Sequence, residues 1–149
     1  MNSFKIKPPT YLLIATILVV ALNFLLPGMT LIPLPWTLLG ILPLVLGVVI
    51  NVRADRIFHE AETAVCPFES SSALVTNGPY HFTRNPMYLG FMLILFGVSI
   101  IMGSLTPFAV VLAFGFIMDR IFIRMEEQKL AATFGGSWTE YKSHTPRWL

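Results

Sequence analysis

Two long uncharged stretches dominate the pattern of the chain. Residues 8–52, between Lys7 and Arg53, contain 45 consecutive positions without a charged side chain, and residues 85–118 contain another 34. A helix rises about 1.5 Å per residue and a bilayer core is about 30 Å thick, so about 20 apolar residues make one crossing. Each stretch is therefore long enough for two crossings, and the pattern predicts an all-α, polytopic membrane protein.

Proline and glycine divide each stretch into two helices. The first stretch is interrupted between residues 26 and 35, which include three prolines. The second is interrupted at residues 103–107, which end in a proline that suits the first turn of a new helix. The predicted membrane helices span residues 11–26, 36–52, 86–102 and 107–123. The chain, residues 1–149, is thus predicted to be a single domain with a cytoplasmic loop at 53–85 and a cytoplasmic segment at 124–149.

The basic residues gather on one side of the predicted membrane. The loops after the first and third predicted helices contain no charge. The ten Lys and Arg residues lie elsewhere: Lys5, Lys7, Arg53, Arg56, Arg84, Arg120, Arg124, Lys129, Lys142 and Arg147. Because basic loops tend to stay in the cytoplasm, we expect both termini there, in the plasma membrane if the protein is bacterial. The first helix lacks a small-residue cleavage site, so we expect an anchor and not a secretory signal.

Composition agrees with this class. The chain is 55% hydrophobic and 12% charged, whereas about a quarter of the residues in a soluble domain are charged. The net charge of +2 is too small to indicate nucleic-acid binding. Cys66 is the single cysteine, which excludes an internal disulfide and a cysteine-rich zinc cluster. We therefore expect membrane lipids as partners, and neither a metal nor a nucleic acid.

Polar side chains collect before the third predicted helix. The second helix is predicted to continue past the membrane through residues 51–62, a turn is predicted at 77–79, and Asn85-Pro86 marks a helix start. The residues around that start are Tyr80, His81, Arg84, Asn85 and Tyr88. A helix N-terminus beside a cation suits an anionic group such as a carboxylate. The alternative is that Arg84 anchors the positive side and the tyrosines belong to the interfacial aromatic belt.

The C-terminal segment continues the helical pattern of the fourth predicted helix. We expect that helix to leave the membrane without a break and to stop at Gly135-Gly136. Glu126 and Glu127 are adjacent, so they point about 100 degrees apart on a helix and at most one can face a given pocket. Beyond the glycines, an aromatic rim is predicted at the lipid headgroups. Its members are Trp138, Tyr141, Trp148 and the neighbouring Arg147.

These motifs resemble those of a known superfamily. They are Gly78-Pro79-Tyr80, Arg84-Asn85-Pro86-Met87-Tyr88-Leu89-Gly90, Glu126-Glu127, Phe134-Gly135, Tyr141 and Pro146-Arg147. In order and spacing they are similar to the isoprenylcysteine carboxyl methyltransferase and phospholipid methyltransferase superfamily, over residues 66–147. The family commonly has His where this chain has Asn85, an amide that forms hydrogen bonds but does not titrate near neutrality. The chain is also shorter than the eukaryotic carboxyl methyltransferases.

The resemblance implies S-adenosylmethionine-dependent methyl transfer at the cytoplasmic membrane face. The acceptor would be lipidic or hydrophobic, either isoprenylcysteine carboxylate-like or phospholipid-like. Arg84 and Glu127 would be catalytic. The implied cofactor-binding residues are Tyr80, His81, Arg84, Asn85, Pro86, Tyr88, Leu89, Gly90, Glu126 and Glu127, and the implied acceptor-binding residues are Arg124, Tyr141 and Arg147. A tyrosine ring, of Tyr80 or Tyr88, could face the sulfonium.

Two other classes fit parts of the pattern. NADPH-dependent membrane sterol-type reductases have a similar Arg-X-Pro-X-Tyr segment, but they would want further cationic residues for the 2′-phosphate. A small transporter or a non-catalytic membrane protein would also be helical. A proton-coupled transporter should have an ionisable residue deep in a helix, and the first three predicted helices have none. The sequence leaves open the identity of the acceptor, the oligomeric state and which of the two adjacent acids faces the cofactor.

Overall fold

The computed structural model describes residues 7–61 and 72–149, and in these residues the chain is helical. The α-helices are α1 (Pro8–Leu25), α2 (Ile41–Glu60), α3 (Pro86–Met102), α4 (Thr106–Ile117) and α5 (Arg124–His144). Short 3₁₀ turns, Trp36–Gly40 and Gly78–His81, precede α2 and α3, and a π-helical segment, Met118–Ile123, joins α4 to α5. The predicted all-α class is confirmed for these residues. Cys66 lies outside them.

Proline and glycine set several helix ends, of which those at Pro86, Gly103 and Pro107 were predicted and the start of α1 at Pro8 was not. Pro8, Pro86 and Pro107 each lie in the first turn of a helix, where the missing backbone N–H has no partner to lose. The α3 helix ends at Gly103, whose φ of 76° is the left-handed conformation that commonly closes a helix. The α2 helix continues to Glu60, which confirms that it runs beyond the predicted span.

Three helical stretches of the described chain are long and apolar enough to cross a membrane. They are Pro8–Leu25, Trp36–Glu60 and Thr106–His144, whose apolar 18-residue windows have mean hydropathies of 1.9, 2.0 and 1.8. The α3 helix is apolar but has 17 residues, at the lower end of the length that spans a bilayer. The chain is thus an integral membrane protein by helix length and composition, while the fourth crossing stays a prediction.

Glycines allow α2 and α3 to approach closely. A Cβ atom at Gly47 would lie 2.5 Å from the carbonyl oxygen of Gly90, and one at Gly40 would lie 2.4 Å from that of Gly97. Both distances are far below van der Waals contact, so the two backbones touch where the glycines meet. We call these four residues the glycine seam. Small residues commonly pack helices in this way inside membranes.

The main core lies between α1, α3 and α4. Val19, Leu95 and Met118 are fully buried there, together with Ile123 from the π-helical segment. The outer faces of α1 and α2 are apolar and exposed; the side chain of Leu13, for example, is 61% exposed. Apolar side chains on the outside suit contact with lipid tails.

The helix formed by α4, the π-helical segment and the first part of α5 is continuous, as predicted, and its regular geometry is interrupted at the predicted glycine pair. The helical turns that follow the glycines were not predicted. Gly135 has φ 49° and ψ −112°, which kinks the helix, and the chain then resumes helical geometry as far as His144. Glycine adopts a positive φ without steric cost, so this one residue can change the direction of the helix axis. The hydroxyl of Thr139 donates to the carbonyl of Gly135 across the kink, at 3.1 Å.

Candidate active site

The loop before α3 is folded back onto the end of α2. Tyr80 is buried against Ala54, and its ring meets that of Phe58 edge to face with 5.3 Å between centroids. Within the loop, the backbone N–H of Thr83 donates to the carbonyl of Pro79 at 3.3 Å. This packing fixes residues 83–85 at the start of α3.

Arg84 is buried at the centre of the site. Its side chain is 8% exposed, its Nη2 lies 3.3 Å from Oε1 of Glu127, and its guanidinium lies over the Trp138 ring, 5.6 Å from the centroid. Among the described residues, Nε and Nη1 of Arg84 have no hydrogen-bond partner. Burying a charged donor without a partner is costly. Arg84 therefore has two buried donors that no described protein group uses.

Glu127 joins two arginines. Its Oε2 accepts a hydrogen bond from Nη2 of Arg147 at 2.5 Å, and its Oε1 accepts one from Nε of Arg147 at 3.2 Å. This is the fork geometry in which a guanidinium holds a carboxylate with two parallel bonds. Hydrogen bonding to Glu127 raises the pKa of Arg147. Glu127 is only 9% exposed, so its negative charge is compensated by Arg84 and Arg147 and not by water.

Glu126 faces a different environment, as expected for its neighbour position on the helix. It lies in α5, beyond the apolar part of the long helix, and its Oε1 accepts a hydrogen bond from the Tyr88 hydroxyl at 2.5 Å. Burial raises the pKa of the Glu126 carboxyl to about 7, although the Tyr88 hydrogen bond and the charge of Lys129 lower it. The Tyr88 ring packs against Phe91 and Phe122. Glu127 thus faces arginines, whereas Glu126 faces an aromatic group.

The last residues of the chain return to the start of α3. The backbone N–H of Arg84 donates to the carbonyl of Pro146 at 2.9 Å. The carbonyl of Arg147 accepts from the Thr83 hydroxyl and from Nδ2 of Asn85, both at 3.0 Å. We call residues 145–149 the C-terminal clasp. Asn85 is 6% exposed, and the hydrogen bond of its amide goes to the clasp and not to water.

Asp119 is a site residue that the sequence analysis missed. Its Oδ1 accepts from Nη1 of Arg147 at 3.3 Å and from Nε1 of Trp148 at 3.2 Å. The residue lies in the π-helical segment, whose wider turn changes which side chains face the site. The available signal was its position as the first charge after the second uncharged stretch.

Two residues of the predicted aromatic rim, Trp138 and Tyr141, lie in the site and not at the lipid headgroups. Trp138 is 4% exposed and lies beneath Arg84, so its prediction as a headgroup residue is wrong. The reason is that the helix continues past Gly135 and turns Trp138 inwards. Tyr141 donates its hydroxyl to the carbonyl of Tyr80 at 2.6 Å, and burial raises the Tyr141 pKa to about 12. Tyr141 therefore ties α5 to the loop before α3.

The remaining predicted residues divide between packing positions and the surface. Pro86 is buried in the first turn of α3, and the backbone N–H of Leu89 donates to the carbonyl of Asn85 at 3.0 Å. A Cβ atom at Gly90 would lie 2.8 Å from the backbone carbonyl oxygen of Gly47, so Gly90 allows the close approach of α3 to α2. Arg124 is exposed on α5, and its role in acceptor binding stays a prediction.

His81 lines an open cavity beside the site. The cavity has a volume of ≈ 520 Å³, and its walls include Glu140, Tyr141 and His144. The His81 ring also meets the exposed Phe82 edge to face, with 5.5 Å between centroids. Two of the residues that line the cavity, Tyr141 and Thr145, belong to the segments that surround Arg84.

The sequence matches one known protein family over most of its length. The sequence profile described as Phospholipid methyltransferase matches residues 36–137, which include α2, α3, α4 and most of α5. The chain belongs to the phospholipid methyltransferase family. The superfamily predicted from the motifs is thereby confirmed, and the match begins 30 residues before the predicted region of resemblance.

Two yeast members of the wider superfamily are similar to this family member. The protein-S-isoprenylcysteine O-methyltransferase of Saccharomyces cerevisiae is 31% identical over 115 residues, which cover 72% of this chain and 46% of the relative. The enzyme of that name from Schizosaccharomyces pombe is 33% identical over 76 residues, 49% of this chain and 31% of the relative. The chain thus spans less than half the length of these relatives.

Proposed function

We propose that the protein is an S-adenosylmethionine-dependent methyltransferase that acts on a lipidic acceptor at the cytoplasmic face of the membrane. Membership of the phospholipid methyltransferase family and the names of the yeast relatives support methyl transfer. The apolar helices support an acceptor that is dissolved in the bilayer. Both acceptor classes that the sequence left open, an isoprenylcysteine carboxylate and a phospholipid headgroup, are carried on such molecules.

The observation that carries the proposal is the buried guanidinium of Arg84 with unused donors on Nε and Nη1. S-adenosylmethionine has a carboxylate, which is the kind of anion that a guanidinium binds well. The carboxylate of the methionine portion would accept from these donors. Glu127 would keep Arg84 in place by occupying Nη2, and Trp138 would exclude water from the covered face of the guanidinium.

The neighbouring groups suit the other parts of the cofactor. S-adenosylmethionine supplies a methyl group on a sulfonium, and transfer requires donor and acceptor to be aligned in a site that excludes water. Glu126 offers a carboxylate oxygen to the ammonium or to a ribose hydroxyl. Tyr88, which Glu126 fixes through its hydroxyl, packs against Phe91 and Phe122 on the apolar side, where the acceptor would lie.

The first test is calorimetric binding of S-adenosylmethionine to the detergent-purified protein. A hydrogen bond to a charged group contributes about 1.5 to 3 kcal/mol, so Arg84→Ala should weaken binding by about 10- to 100-fold. Arg56→Ala, at the exposed end of α2, is the control and should bind like the wild type. NADPH, the cofactor expected of a sterol-type reductase, should not bind.

A cofactor analogue identifies which anion Arg84 holds. Decarboxylated S-adenosylmethionine should bind the wild type weakly and should bind Arg84→Ala with the same affinity. If Arg84 instead holds the carboxylate of the acceptor, the analogue and the complete cofactor will bind the wild type equally. Absence of S-adenosylmethionine binding at millimolar concentration would refute the methyltransferase proposal, and binding of NADPH would then favour the reductase.

A further inference from the structure

Asn85 and the C-terminal clasp form a connection between distant parts of the chain. Three donors of consecutive residues, the Thr83 hydroxyl, the Arg84 backbone N–H and the Asn85 amide, meet the carbonyls of Pro146 and Arg147. The backbone of Arg147 is therefore held in register with the start of α3. Asn85 contributes a buried side-chain donor to this connection, which needs no titratable group.

Asp119 binds the guanidinium of Arg147, the clasp residue whose backbone is held at the start of α3. Its Oδ1 accepts from Nη1 of Arg147, while Nε and Nη2 of that arginine are engaged by Glu127. The indole of Trp148 donates to the same oxygen of Asp119. The guanidinium of Arg147 is thus fixed between two carboxylates, and its backbone is fixed by Asn85.

The contacts of Arg147 determine which donors of the Arg84 guanidinium remain unpaired. Glu127 uses both oxygens on Arg147 and meets Arg84 only through Nη2. If Arg147 left, a carboxylate with two free oxygens would lie beside the unused donors of Arg84. Charge attraction and the cost of unpaired buried donors would then draw Arg84 onto Glu127. Arg147 therefore keeps the Arg84 donors available.

We propose that Asn85 and Asp119 are positioning residues of the cofactor site, which hold Arg147 on Glu127 and so keep the Arg84 donors open for the cofactor carboxylate. The inference rests on the function proposed above. It also assigns a role to Asn85 that the His more usual in the family could fill, because an imidazole N–H can donate to a carbonyl as an amide does. Asn85 acts through the clasp and has no contact with the reacting atoms.

The test combines ligand binding with proteolysis of the ligand-free protein. Asn85→Ala and Asp119→Ala should each weaken S-adenosylmethionine binding by about tenfold, the effect of losing one charge-assisted contact. Binding of the decarboxylated analogue should not change, because the analogue does not use the Arg84 donors. Trypsin should cleave after Arg147 faster in both variants, and the loss of residues 148 and 149 is measurable by mass spectrometry.

Conservative variants separate positioning from a general loss of structure. Asn85→His should keep cofactor affinity and trypsin resistance near those of the wild type, because its N–H replaces the amide donor. Arg147→Lys, which keeps the charge but loses the fork, should reproduce the weaker binding. Matched controls are Asn77→Ala in the exposed loop and Asp55→Ala, whose carboxylate pairs with exposed His59, and both should behave like the wild type.

The outcomes distinguish this inference from the proposed function. Wild-type affinity and trypsin resistance in Asn85→Ala and Asp119→Ala, with binding lost in Arg84→Ala, would overturn the positioning roles and leave the methyltransferase intact. Equal loss of affinity for the decarboxylated analogue would also overturn them, because the variants would then damage the site in general. Failure of the wild type to bind S-adenosylmethionine would refute the proposed function itself.

Discussion

Two adjacent glutamates of one helix have opposite surroundings. Glu127 lies between Arg84 and Arg147, whereas Glu126 lies beside Tyr88. The sequence correctly predicted that the two acids would face different ways, because adjacent helical residues diverge by about 100 degrees. It could not predict which acid the arginines take, since that depends on the position of Arg147, 20 residues further along the chain.

The raised pKa of Glu126 has a consequence for stability. Its carboxyl titrates near 4.5 in the unfolded chain and at about 7 in the folded protein, so the unfolded chain loses its proton first as the pH rises. The contribution of Glu126 to stability is therefore full below pH 4.5 and is lost as the pH rises to about 7. Glu126→Gln, which cannot ionise, should be more stable than the wild type above pH 7 by roughly 1 to 3 kcal/mol.

Thermal unfolding in detergent between pH 4.5 and 8 measures this effect. The difference between Glu126→Gln and the wild type should grow with pH and level off above pH 7. Glu140→Gln, which replaces an exposed acid of the same helix, is the control for changing a carboxylate to an amide. A constant difference at every pH would mean that Glu126 does not titrate in this range.

At the scale of the helices, close packing depends on the glycine seam. A Cβ atom at Gly97 would lie 2.6 Å from the carbonyl oxygen of Gly40 and 2.7 Å from the backbone N of Leu44. Backbone atoms cannot move aside as a flexible side chain can. Gly97→Ala should therefore separate α2 from α3 and destabilise the protein by about 1 to 3 kcal/mol, the usual cost of overpacking.

The comparison variant for Gly97→Ala is Gly136→Ala. No atom lies within 4 Å of a Cβ atom built at Gly136, so alanine there should be neutral or slightly stabilising through its better helix propensity. Thermal unfolding of both variants in one detergent gives the comparison. Similar stability of the two would show that α2 and α3 can separate without cost.

The elements could be predicted because their causes are local. Prolines and uncharged stretches set the starts of α3 and α4, which begin at residues 86 and 106 against predicted starts of 86 and 107. The π-helical segment and the inward turn of Trp138 could not be predicted, because their contacts join residues far apart in the sequence, as Asp119 with Arg147 and Trp138 with Arg84. Gly135 suits either a helix stop or a kink, and the contacts of the following helix decide between them.

At the scale of the molecule, the charge distribution predicts four crossings with both termini in the cytoplasm. The 17 residues of α3 would extend about 25 Å, slightly less than the bilayer core. If α3 crosses, Met29 and Leu105 lie on the side opposite Lys142. The bond from the backbone N–H of Leu105 to the carbonyl of Met29, at 3.0 Å, is consistent with both residues lying at one end of the bundle.

Cysteine labelling in intact cells tests this topology. In a Cys66→Ser background, Met29→Cys should react with a membrane-impermeant maleimide added outside, because Met29 is 65% exposed. Lys142→Cys should react only after the membrane is permeabilised. Labelling of both cysteines from outside would contradict the predicted orientation of the C-terminus.

The C-terminal clasp also bears on the order in which contacts form during folding. Its three hydrogen bonds join residues 83–85 to residues 146 and 147, more than 60 positions further along the chain. Contacts between residues so far apart in sequence have a larger loop-closure cost than contacts within a helix. We therefore expect the clasp to form last, after α3 and the long helix that carries Glu127 have packed together.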